Sequence, residues 1–278
     1  LLYDTMLRYK KEDEYLKYEG RVTMVGNFSE AFAGIFSGLL AVYSLRLPFY
    51  VQSGIAFIGI PAAVALTEHA AKTRIKNSFA NIVQIIQYSL FTNKELCYNI
   101  MFSGVIGAAT LTMAWFVQPL LIELDTPTSW FGIIWTILNL TVGISALYSD
   151  KLDQRLGSLR MYTLILFFIV GGYIAVAFNI SYIGLVCLFF FYIVRGFATP
   201  ILKGYINQIT FSEMRATVLS IRNFIIRLMF AAMAPLVGWL HDLYSLSIAL
   251  QATAAIIFVP GLLFLILQYR YKPRETSL

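Results

Sequence analysis

Apolar residues run through this chain in stretches of about twenty, separated by short polar breaks, and roughly 20 mostly apolar residues are what a helix needs to cross a bilayer. Eight such stretches stand out, at 22–43, 48–67, 99–123, 129–148, 161–179, 182–202, 217–240 and 246–269. The pattern predicts an all-α membrane protein with eight transmembrane helices. The longest break, "EHAAKTRIKNSFANIVQIIQYSLFTNKELCYN", keeps a helical rhythm of its own: Ile75, Phe79, Ile82, Val83, Ile86 and Leu90 share one face behind Lys72, Arg74 and Lys76. It reads as an amphipathic helix, lying either on the inner membrane surface or on the protein's own cytoplasmic face.

Composition agrees with a lipid solvent. The chain is 59% hydrophobic, 15% aromatic and only 13% charged, where soluble domains carry about 25% charged residues. The net charge of +6 matters less than its placement. Arg8, Lys10, Lys11, Lys17 and Arg21 precede the first stretch; Lys72, Arg74, Lys76 and Lys94 follow the second; Lys151, Arg155 and Arg160 follow the fourth. Lys203 and Arg215 flank the sixth-to-seventh connection, Arg270, Lys272 and Arg274 follow the eighth, and the opposite connections hold only Arg46. Alternation of this kind marks topology rather than nucleic-acid binding, and puts both ends of the chain in the cytoplasm. A plasma membrane, bacterial inner membrane in particular, is the expected location. Cys97 and Cys187 are too few and too far apart for a disulfide framework and read as packing residues.

Two stretches repeat. "GIFSGLLAVYSLRLPFYVQ" and "PLVGWLHDLYSLSIALQAT" both join a small-residue helix end to Tyr-Ser-Leu and an apolar run, and Arg21-x-Thr23 matches Arg215-x-Thr217. Six apolar stretches separate the copies, the size of one half of a transporter built from two six-helix repeats. With "LLYDTML" ahead of a charged loop, "WFVQPLLIELDTPTSWFGI" and "SEMRATVLSIRNFIIRLMFAAMAPLVGWLHD", the chain resembles the major facilitator superfamily. The loop "SDKLDQRLGSLR" is similar to the family's Gly-x-x-x-Asp-Arg-x-Gly-Arg-Arg loop through Asp153, Arg155 and Gly157.

The resemblance implies the C-terminal two-thirds of a twelve-helix fold. Residues 1–20 would be the end of a truncated fourth helix and a cytoplasmic loop, 21–67 the last two helices of the first half, and 68–98 the cytoplasmic linker. Residues 99–270 would form the second half, and 271–278 a cytoplasmic tail. The first three helices and most of the fourth would precede this chain. The fifth family helix would pack on the eighth and tenth.

Charges inside the apolar stretches are the candidate machinery, since burying one at membrane depth costs several kcal/mol unless it finds a partner. Counted from the outer connections, Glu30, Arg195 and Arg227 each lie about 21 to 22 Å deep at about 1.5 Å per residue. Gly26, Glu30, Gly34 and Gly38 recur every four residues, a face suited to close helix approach. Glu30 and Arg195 are expected to pair across the two halves and close the cytoplasmic side; Glu30 reads alternatively as a proton-coupling carboxylate. Arg227 reads either as part of this cluster or as snorkelling to inner headgroups, as Arg222 is expected to do. Higher up, Thr112, Trp115 and Gln118 share one face and Trp135 and Asn139 another. This polar and aromatic mixture suits a cavity for an amphipathic solute, or ordinary packing. His241 with Asp242 reads as a hydrogen-bonded helix end, and Pro200 between Gly196 and Gly204 as a bend.

Function therefore reads as secondary transport of a small solute by alternating access, with no cofactor, and with protons as coupling ions on the reading of Glu30 as a coupling carboxylate rather than a structural partner. An enzyme is not expected: there is no His-Glu-x-x-His, Gly-x-Ser-x-Gly or Gly-x-x-x-x-Gly-Lys-Ser/Thr, and only two histidines. The competing reading is a non-transporting membrane scaffold or an inactive transporter fragment.

Overall fold

A helix in lipid satisfies every backbone polar group within its own segment, and that economy governs the whole molecule. The computed structural model describes residues 2–44, 46–65, 79–127 and 130–271, and these contain helices and connections with no β-strand. Eleven α-helices follow in order among them. They are α1 (Leu2–Arg8), α2 (Tyr15–Tyr43), α3 (Leu47–Val64), α4 (Phe79–Gln87), α5 (Lys94–Glu123), α6 (Phe131–Ala146), α7 (Ser149–Leu156), α8 (Ser158–Phe178), α9 (Tyr182–Gln208), α10 (Ser212–Leu243) and α11 (Leu246–Tyr271).

Five of the described helices, α5, α8, α9, α10 and α11, are long and apolar enough to cross a membrane. A sixth span results if α6 and α7, bent by 49° at Leu147 and Tyr148, count as one. α3 is a shorter apolar helix. α2 is long, but Asn27, Ser29 and Glu30 interrupt its apolar run. Several helices outrun their apolar stretches because polar residues continue the turn until a cap closes it. Asn93 Oδ1 accepts the Leu96 amide at 3.0 Å at the start of α5, and Ser181 Oγ accepts the Ile183 amide at 3.2 Å at the start of α9.

α5, α6, α8, α9 and α11 share one core, with Phe102, Met113, Leu138, Met161, Tyr173 and Phe191 fully enclosed. Small residues set the approach of the helices. A Cβ on Gly196 would stand 1.9 Å from Ser145 Oγ and 2.5 Å from the Val142 carbonyl oxygen, so α9 lies directly on α6 there. α2 packs on α6 and α9, and the Thr136 hydroxyl donates to the Ala31 carbonyl at 3.3 Å. The close approach of α2 is made at Gly20, whose Cβ would meet the Ala146 carbonyl at 2.4 Å, and at Phe28 against Gly143. It is not made along Gly26, Gly34 and Gly38, where a Cβ meets nothing tighter than 3.8 Å. The expected close-packing face is therefore displaced around the helix.

The amphipathic stretch divides between its two readings. Lys72, Arg74, Ile75 and Lys76 lie outside the described residues. α4 buries Ile85, and Ile86 and Leu90 pack beside it against Leu96, Val218 and Ile221. Phe79, Ile82 and Phe91 stay exposed. The helix thus docks on α10 while presenting a second apolar edge outward.

Candidate functional site

Four helices converge on a cavity of about 530 Å³. α2 contributes Glu30, Gly34 and Ser37, spaced so that one helix face points inward. α5 contributes Ala114, Trp115 and Gln118 on the same logic, α6 contributes Phe131, Gly132 and Trp135, and α9 contributes Arg195. Gly196, by drawing α9 onto α6, places its neighbour Arg195 beside the gap. Trp115 is 66% exposed, Glu30 and Gln118 are exposed, and Trp135 is half-buried.

Arg195 is the least contented group there. Its Cζ lies 5.3 Å from the centroid of the Tyr192 ring. The guanidinium lies within electrostatic and near-hydrogen-bonding reach of the Tyr192 hydroxyl, and among the described residues neither of the two buried atoms, Arg195 Nη1 and Tyr192 Oη, makes a hydrogen bond of normal geometry. Glu30 and Arg195 line the same cavity without forming an ion pair. Their expected pairing is therefore absent from this conformation: the carboxylate is exposed, and the guanidinium lies over the Tyr192 ring.

Thr112 and Asn139 face away from the cavity. Both are 1% exposed, and their side chains donate to the Ala108 carbonyl at 2.9 Å and the Trp135 carbonyl at 3.0 Å. Short polar side chains in an apolar helix bond back to the preceding turn, and this removes both from ligand contact. Arg227 is exposed on α10 and does not line the cavity. Arg222 does not snorkel: it is 9% exposed, and its Nε donates to Ser103 Oγ at 2.6 Å while Nη1 donates to Asn223 Oδ1 at 3.2 Å. An acceptor on α5 at the same level outcompetes the more distant solvent.

The end of the bundle where basic connections gather is tied by polar contacts between segments far apart in the chain. Arg215 Nη1 pairs with Asp4, Nη2 donates to the Thr210 carbonyl at 2.7 Å, and the guanidinium lies 4.2 Å from the Tyr3 ring centroid. Ser212 Oγ donates to Asp4 Oδ1 at 2.5 Å. Lys203 Nζ meets Glu19 Oε1 at 2.5 Å, the Tyr15 hydroxyl donates to Glu19 Oε2 at 2.8 Å, and Asn207 Nδ2 donates to Tyr15 Oη at 2.8 Å. Burial pushes the Tyr3 and Tyr15 hydroxyls above the usual tyrosine range, and the Glu19 carboxylate pushes Tyr15 further the same way. Asp153 accepts a hydrogen bond from Tyr205 and lines an acidic cavity of about 490 Å³ with Glu12, Asp13 and Asp150, whereas Arg155 is exposed.

Sequence reasoning missed this lock because its charges read as topology markers. The available signal was the polar run Asn207, Gln208 and Thr210, out of place at the end of an apolar helix. Among the described residues, no group of three or more His, Cys, Asp or Glu side chains is placed to hold a metal ion. The larger cavity offers two aromatic walls, one cationic donor, one carboxylate and an amide, a set that can hold and orient an amphipathic solute. Comparison with protein-family models and with curated proteins finds no match to this chain.

Proposed function

We propose that this chain works as a secondary transporter of a small solute by alternating access, its eight spans arranged as the C-terminal two-thirds of the twelve-helix, two-half fold of the major facilitator superfamily. The observation that carries the reading is the cavity between α2 and the bundle of residues 99–270, together with the polar contacts that α1 and the first turns of α2 make with that bundle at the basic end. α2 packs on α6 and α9, the partners that the resemblance implies for the fifth family helix. The basic end is the cytoplasmic one on this reading, in a plasma membrane, and the conformation is closed towards the cytoplasm.

Release inward then requires the Asp4–Arg215 and Glu19–Lys203 pairs to part. Both pairs retain partial exposure, 31% at Asp4 and 33% at Lys203, so water can take over their hydrogen bonds as the halves rock. Glu30, exposed on the cavity wall, is the group placed to exchange a proton with the outside.

The test is uptake in proteoliposomes of the purified protein, with a pH gradient imposed or collapsed, against a panel of aromatic anions, amines and neutral amides. Accumulation of at least one solute is expected, and a fall of about tenfold or more in gradient-driven uptake is expected for Glu30→Gln. Uptake no greater than in protein-free vesicles for every compound overturns the transport reading. Uptake indifferent to the gradient and to Glu30→Gln removes proton coupling and leaves facilitated movement.

A further inference from the structure

Of the two charged groups on the larger cavity, Glu30 is exposed, while Arg195 is half-buried beside the Tyr192 hydroxyl and its Nη1 makes no hydrogen bond of normal geometry among the described residues. The half-buried guanidinium is the less well hydrated of the two, so the site's outstanding demand is for an acceptor. Trp115, Trp135, Phe131 and Leu111 line the same cavity and offer apolar walls.

We propose that the cavity takes an organic anion with a flat apolar body, its carboxylate or equivalent acceptor set on the Arg195 guanidinium and its body along the walls that Trp115 and Trp135 line. This rests on reading the cavity as the solute site of a transporter. The contrary choice, an organic cation, has an argument in its favour because tryptophan faces and Glu30 both attract positive charge. It would place that charge beside the half-buried guanidinium, where like charges repel. Gln118 adds an amide that can bond either class and does not discriminate.

The chemistry is tested by calorimetric titration of the purified chain in detergent with three compounds of one shape: 1-naphthylacetate, 1-naphthylacetamide and 1-naphthylmethylamine. The acetate is expected to bind about tenfold or more tighter than the amide, and the amine weakest, in line with the greater strength of charge-assisted hydrogen bonds. Arg195→Gln is expected to bring the acetate down to the level of the amide, leaving amide affinity within about twofold. Trp115→Ala, at an exposed position, is expected to weaken all three compounds together, which keeps the site assignment testable if the arginine variant fails to fold.

Equal binding of acetate and amide, preference for the amine, an unchanged acetate-to-amide ratio in Arg195→Gln, or no saturable binding by any of the three overturns the proposal. The two readings fail separately. Anion binding that depends on Arg195 without flux in proteoliposomes ends the transporter reading and leaves the anion site. Flux with a preference for amines or neutral amides does the reverse.

Discussion

Gly157 joins α7 to α8 at φ 71° and ψ 162°, a backbone conformation that only glycine adopts without strain. Gly157→Ala is expected to destabilise the protein by about 1 to 3 kcal/mol, measured as thermal stability in detergent. Arg222 supports a second prediction at this scale. Ser103→Ala deletes the acceptor of its buried Nε and is expected to cost about 1 to 3 kcal/mol, whereas Ser220→Ala, at an exposed helix-backbone hydrogen bond, is expected to stay within about 0.5 kcal/mol. A Ser103→Ala protein as stable as the parent would return Arg222 to the role of a topology marker. The same residues show what single positions disclose in a sequence. Helical spacing and depth brought Trp115, Gln118, Trp135, Glu30 and Arg195 to notice, and all five line one cavity. Thr112 and Asn139 have the same spacing and are absent from it, because spacing assigns a face only to within about a helix turn and does not reveal a side chain bonded to its own backbone.

Between elements, the lock at the basic end joins α1 and the first turns of α2 to α9 and α10. Arg215→Gln removes the cation that pairs with Asp4 and lies over Tyr3. Amide exchange in residues 2–8 is expected to accelerate by about tenfold or more, with exchange in α8 unchanged; equal protection in both proteins would show that α1 is held by its apolar contacts alone. pH acts on the same contact. The Tyr3 and Tyr15 hydroxyls have folded-state values raised above 10.0, so the stability they contribute is fully present below that value. It is lost as pH rises through the raised values, and α1 is expected to loosen from about pH 10 upward. Phenylalanine at both positions is expected to flatten that alkaline response. Little of this lock was legible in advance, for a physical reason: its partners lie 184 to 211 residues apart, and a charge pattern discloses the side of a membrane but not which opposite charge will arrive there. Of the eight expected spans, five, or six with the bent α6–α7 pair, are long and apolar enough among the described residues, and these were legible because each is determined by local composition and length.

Over the whole molecule, the transport proposal makes the cavity and the lock two ends of one device. The 99–270 bundle has its own core and α2 leans on it through α6 and α9, so separating the two parts breaks polar contacts at the basic end while sparing that core. Ser37 lines the cavity and Ser212 sits in the lock, which allows each end to be probed by a single cysteine on a background with Cys97 and Cys187 replaced by serine. The deciding measurement is labelling of Ser37→Cys by a membrane-impermeant maleimide in oriented vesicles, with the lock intact and with Glu19→Gln and Arg215→Gln combined. Alternating access predicts labelling from the face opposite the basic end when the lock is intact, and a gain of labelling from the basic face, at the expense of the other, when it is broken. Labelling from one face only, unchanged by the broken lock, would contradict it.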